Sequence, residues 1–146
     1  MVRPLTVVPA TPTRDAKPTK LPDDAGTVSI TDAGVKLPAG FGLLGWYKVQ
    51  DDGTQPHELT IVKLNDGVTA DQLKTWLVTT ESGPALQDAP YTLVGGSGAL
   101  SSGRTDLVRL ELGPGNYVAF CAIPNRAANS SPSYNQGVFF AFSRAA

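Results

Sequence analysis

The sequence predicts an all-β antiparallel sandwich preceded by an extended N-terminal arm and interrupted by one short helix. Three observations predict it. From Thr27 onward, turn residues separate short runs rich in β-branched and aromatic residues, the pattern of an antiparallel sandwich. In one such run Val108, Leu110 and Leu112 share a face while Arg109 and Glu111 share the other, so one side is dry and one wet. Before Thr27, Pro4, Pro9, Pro12, Pro18 and Pro22 stand among Thr, Lys and Asp, a composition that favours extended or polyproline geometry and holds no core. The chain divides accordingly into an arm, residues 1–26, and one sandwich domain, residues 27–146.

Strands are expected at Thr27–Thr31, Leu43–Gln50, Glu58–Leu64, Leu107–Leu112, Asn116–Ile123 and Gly137–Phe142, with a shorter one at Thr92–Val94. Asp51-Asp52-Gly53 is expected to reverse the chain through a positive-φ glycine, and Gly113-Pro114-Gly115 to do so before Asn116. The carboxylates of Asp23, Asp24, Asp51 and Asp52 fall in arm or turn contexts and read as solvated. A helix starts at Thr69, because Thr69 and Gln72 form a capping box and Val68 and Leu73 a hydrophobic staple. Leu73, Trp76 and Leu77 then make one apolar stripe that can dock on the sandwich edge. Gly95-Gly96-Ser97-Gly98 lacks the Lys-Ser/Thr ending and following helix of a phosphate loop, so it reads as a flexible turn. Phe139, Phe140 and Phe142 put aromatics on both faces of the last strand, the pattern either of a buried central strand or of a partly exposed contact surface.

Composition narrows the function classes. The chain has 146 residues, enough for one real core, and a hydrophobic share of 41%. No stretch approaches the apolar length of a membrane-spanning helix, and prolines interrupt the N-terminus where a secretion signal would need an apolar run. Twelve basic residues against 13 acidic ones create no field for nucleic acid or anionic lipid. One Cys excludes an internal disulfide, and one His with one Cys cannot build a zinc site of the common type.

Two segments carry a family resemblance. Asp52-Gly53-Thr54-Gln55-Pro56-His57-Glu58-Leu59 resembles the cupredoxin segment that delivers a histidine at the head of a strand. Pro114-Gly115-Asn116-Tyr117-Val118-Ala119-Phe120-Cys121-Ala122-Ile123-Pro124 resembles that family's penultimate strand, with its Tyr and its ligand Cys. The Pro-His-Glu-Leu segment followed by a helix is also similar to small bacterial envelope proteins. The resemblance covers roughly residues 27–142 and implies a Greek-key β-sandwich of the plastocyanin and azurin type. It also implies that His57 and Cys121 occupy copper-ligand positions. A blue-copper centre needs two imidazoles and a thiolate in one plane plus a weak axial ligand. His57 is the only histidine, and Met1 the only methionine. Aligned on Pro132 and Gly137, Ser133 stands at the second histidine and Val138 at the methionine, so the site reads as degenerate and metal-free.

The expectation is therefore a non-enzymatic structural or interaction module, fastened by its arm to a protein assembly such as a virion surface. The expected contacts are Arg3, Pro4, Pro9, Pro12 and Arg14 in the arm and Asn125, Arg126, Asn129 and Tyr134 in the polar loop from Asn125 to Gln136. Deleting residues 127–134 is expected to leave folding intact while weakening binding. The rival expectation is an envelope protein that captures copper through His57 and Cys121. A third, a Cys-dependent enzyme, requires Cys121 to be accessible and unusually acidic. The sequon Asn129-Ser130-Ser131 is assigned no role.

Overall fold

The alternating apolar runs pair into two four-stranded sheets in the computed structural model, which describes residues 23–80 and 89–145. In chain order the strands are β1 (Asp24–Thr31), β2 (Gly34–Lys36), β3 (Gly45–Asp51), β4 (His57–Leu64), β5 (Tyr91–Leu100), β6 (Thr105–Leu110), β7 (Gly115–Phe120), β8 (Pro124–Asn125), β9 (Ser131–Pro132) and β10 (Phe139–Arg144), with helix α1 (Ala70–Thr80) between β4 and β5. One sheet has the order β2-β1-β3-β6 and the other β10-β7-β4-β5, while β8 and β9 form a small separate ladder. Neighbours are antiparallel except β1 and β3, which run parallel. The fully antiparallel expectation fails there because β2 occupies one side of β1, and the connection from Leu37 to Leu44 carries the chain to the other side.

Alternation decides which side chains meet between the sheets. Val28 and Ile30 of β1, Tyr47 and Val49 of β3, Leu59 and Ile61 of β4, and Tyr117 and Ala119 of β7 form the central core. Val62, Leu64, Val118 and Phe120 face the other way, and Leu73 of α1, itself fully buried, packs on them. Burying one such leucine contributes about 1.5–3 kcal/mol. The helix therefore covers the outer face of the second sheet rather than the sandwich edge, which is why β4 and β7 are apolar on both faces. Its start is built as the sequence indicates: the Thr69 N–H donates to Gln72 Oε1 at 2.8 Å and the Gln72 N–H donates to Thr69 Oγ1 at 3.2 Å.

Several expectations are corrected. The glycine run 95–98 lies inside β5, a strand of ten residues where Thr92–Val94 alone was expected. A Cβ on Gly96, whose φ is 143°, would sit 1.8 Å from the Leu59 carbonyl oxygen, so close approach to β4 demands glycine there. The sheet begins at Asp24, three residues before the expected start of the sandwich at Thr27. The remainder of the arm, with Arg3, Pro4, Pro9, Pro12 and Arg14, lies outside the described residues. β10 is an edge strand, not a central one: Phe140 is 42% exposed, while Phe139 and Phe142 are half-buried on opposite faces. No helix among the described residues is long and apolar enough to cross a membrane.

Candidate functional site

At the end of the sandwich where β4 begins and β7 finishes, four side chains from distant parts of the chain converge: His57, Cys121, Ser133 and Val138, all fully buried. β4 delivers His57 through the turn at Asp51. That carboxylate is buried, not solvated as the sequence suggests, and accepts the N–H of Gly53 at 2.9 Å and of His57 at 3.1 Å. Gly53 is required here for space rather than for a positive φ. A Cβ on it would lie 2.7 Å from the His57 ring and 2.9 Å from Asp32 Oδ1.

The ring is held from outside as well. Its Nε2 lies 3.0 Å from Asp32 Oδ1, in the turn between β1 and β2. Since a carboxylate only accepts, Nε2–H is the donor. Asp32 also accepts the Thr54 hydroxyl at 2.7 Å and the Thr54 N–H at 3.0 Å. Chiefly through the Thr54 hydroxyl, and further through the Thr54 N–H and His57, its carboxyl is held down at about 2, against the opposing effect of burial. Sequence reasoning missed Asp32. Its one local signal is the turn-forming Thr31-Asp32-Ala33-Gly34. His57 Nδ1 is buried and has no hydrogen-bond partner among the described residues.

Cys121 follows the last residue of β7. Its Sγ accepts the Glu58 N–H at 3.4 Å, which ties it to the residue beside His57. Glu58 Oε1 in turn accepts the Ala122 N–H at 3.2 Å. Burial pushes the thiol above its ordinary pKa despite the N–H donors around it, so the group is a protonated, enclosed thiol rather than a poised nucleophile.

The segment from Asn125 to Gln136 closes the site and is more ordered than its polar sequence suggests. It holds the β8/β9 ladder and two 3-10 turns, Arg126–Ala128 and Ser133–Gln136. Ser133 Oγ donates to the Ile123 carbonyl at 2.7 Å and Ser133 N–H donates to the same oxygen at 3.0 Å. The Tyr134 N–H donates to the Cys121 carbonyl at 2.8 Å, and the Cys121 N–H to the Val138 carbonyl at 3.1 Å. The loop is thereby laced to the end of β7. Of the expected contact residues, Arg126 and Asn129 are exposed. Asn125 and Tyr134 are buried instead: Asn125 Oδ1 caps the first 3-10 turn by accepting the Ala127 N–H, and Tyr134 packs against Phe120 under the helix. A deletion of 127–134 would remove buried Ser133 and Tyr134, so the expectation that it spares folding does not hold.

A scan against protein-family models finds no match, and neither does a search of curated proteins. Solved structures do match. Sodium-dithionite-reduced auracyanin from the photosynthetic bacterium Roseiflexus castenholzii superposes with a TM-score of 0.53 and 16% identity over 83% of this chain and 96% of that one. Auracyanin B gives 0.43 and 17% over 88% and 93% of the two chains. Auracyanin A, a "blue" copper protein from the green thermophilic photosynthetic bacterium Chloroflexus aurantiacus, gives 0.44 and 14% over 80% and 96%. The first of these likenesses establishes the cupredoxin-like fold of this chain; at such identity it speaks for fold alone.

The four buried side chains do not fit a blue-copper centre. One imidazole and one thiol remain, Val138 offers no donor atom, and the Ser133 hydroxyl donates its proton to a backbone carbonyl. No group of three or more His, Cys, Asp and Glu side chains among the described residues is arranged to hold a metal ion.

Proposed function

We propose that this chain is a metal-free cupredoxin-like interaction module with no enzymatic activity, in which the former ligand cluster serves as a structural plug and the N-terminal arm provides attachment to a protein assembly. The observation that carries this reading is Ser133. At the position of the second imidazole it binds the Ile123 carbonyl and packs with Val138 into the core, where an open coordination position would otherwise be needed. The buried, protonated state of Cys121 speaks against a thiol enzyme in the same way. Nothing in the fold favours a virion surface over another assembly. An envelope copper protein using His57 and Cys121 is the competing reading.

Copper titration separates the two. The native chain is expected to develop no intense visible charge-transfer band with Cu(II), and Cys121 to resist thiol reagents until the protein unfolds. The double substitution S133H/V138M is expected to gain such a band at one equivalent of copper, because it restores the missing donors around the two that remain. A stoichiometric band in the native chain would refute the metal-free reading and favour the copper protein.

A further inference from the structure

We propose that the free edge of β10 and the groove beside it receive residues 2–9 of a second copy, so that the arm of one molecule adds a strand to the next. The inference rests on the assembly reading above and specifies its receiving surface. Among the described residues β10 has a strand neighbour on one side only, which leaves a row of backbone groups on its other side for pairing. Beside it lies an open groove of about 470 Å³, lined by Leu37, Pro38, Phe41 and Leu43 of the connection between β2 and β3 and by Phe140 and Arg144 of β10. Leu43 is 55% and Phe140 42% exposed, an apolar area that water covers poorly. Arg144 adds a polar demand. Its Nε is buried and without a hydrogen-bond partner among the described residues, and a carbonyl of an added strand would satisfy it.

The arm has the matching chemistry. Leu5-Thr6-Val7-Val8 is a run of high strand propensity bracketed by Pro4 and Pro9, and prolines lacking N–H are tolerated where a strand pairs on one side only. Chain length and exit point favour a second copy over the same one. β1 starts at Asp24, and Gly26 lies against Pro38 of the groove lining, so an arm stiffened by its prolines would be carried past its own groove toward that of another copy. The 13 residues from Ala10 to Pro22 include Pro12, Pro18 and Pro22. As a semi-rigid extended spacer they would reach on the order of 40 Å, about twice the length of a six-residue strand. Such a head-to-tail contact closes into a ring or runs on as an open chain.

Complementation tests the proposal on full-length protein. Light scattering should show the native chain growing in mass with concentration, whereas L5D/V7D, disabled in the arm, and F140D, disabled in the groove, each stay monomeric. L43D, in the connection between β2 and β3 that also lines it, checks that the effect belongs to the groove, and circular dichroism that each variant is folded. Mixing L5D/V7D with F140D unites one intact groove with one intact arm and should yield a 1:1 dimer, at least about tenfold tighter than self-association of either variant. A native chain that is monomeric at every concentration overturns the proposal, as does oligomerisation that L5D/V7D leaves unchanged. Copper titration of the same samples judges the metal-free reading separately, so the two can fail independently.

Discussion

The strand-borne and loop-borne halves of the His57, Cys121, Ser133 and Val138 cluster are held by different means. His57 opens β4 and Cys121 follows the last residue of β7, and both are of metal-binding residue types; Ser133 and Val138 come from the turn after β9 and the residues just beyond it, and neither is of a type that binds copper well. The strand-borne pair has other work in the fold. His57 is clamped between Gly53 and Asp32, and the Cys121 sulfur receives the Glu58 N–H across the two central strands. The loop-borne pair fills space and satisfies the backbone groups of Cys121 and Ile123 just past β7, tasks that Ser and Val do well. The strand-borne pair is thus constrained by neighbours shaped around its side chains, the loop-borne pair by packing volume and by backbone bonds that other small residues could also make.

The largest expected effect falls on the loop-borne half. If the closing segment is core rather than display, Tyr134→Ala should destabilise the protein by about 3–5 kcal/mol, read from urea unfolding, because Tyr134 is buried against Phe120 beneath α1. A loss under about 1 kcal/mol, the scale of an ordinary surface change, would return this segment to the class of a free recognition loop and break the comparison.

Tyr134 also marks the limit of what the residues alone disclose. β4, β6, β7 and the start of α1 were legible because alternation and the Thr69/Gln72 capping box are local signals. The positions of His57 and Cys121 were legible through their flanking motifs. The burial of Asn125, Ser133 and Tyr134 was not, since polar side chains in a segment without periodicity look solvent-facing until the backbone bonds of Ser133 and Tyr134 to Ile123 and Cys121 are known. β5 was hidden for a related reason: Gly95, Gly96 and Gly98 lower strand propensity, and only close approach to Leu110 and Leu59 explains the first two. Asp32 escaped because its partners, Thr54 and His57, are 22 and 25 residues away in sequence.

The strand-borne half is sharpened by Gly53→Ala. The added methyl group meets the Asp32 carboxylate on one side and, on another, the His57 ring, which is fully buried and has no free space to retreat into. Overpacking of this kind costs about 1–3 kcal/mol. The cost should appear at neutral pH in urea unfolding and be the same with and without added copper. A neutral substitution would mean that the His57 ring yields easily, and that its retention owes nothing to the Gly53 and Asp32 clamp.

Asp32→Asn carries the smallest effect and the most specific signature. The Asp32 carboxyl titrates at about 2 in the folded chain, below its ordinary 3.8, because Thr54 and His57 bond to the charged form. A group whose folded pKa is depressed contributes stability that is fully present above the ordinary value and is lost as pH falls through the folded one. The window for Asp32 is therefore roughly pH 4 to 2. Its side chain is 36% exposed, so solvent screens these contacts and the contribution at neutral pH is held to about 1 kcal/mol or less. The amide keeps the shape of the carboxylate and loses its charge, so the native chain should be modestly more stable than the variant at pH 6, and the gap should close as the pH is lowered to 2. A gap that stays constant across that range would assign Asp32 a purely steric role. A gap that closes would identify the charge on Asp32, rather than a metal, as what holds the strand-borne imidazole in place.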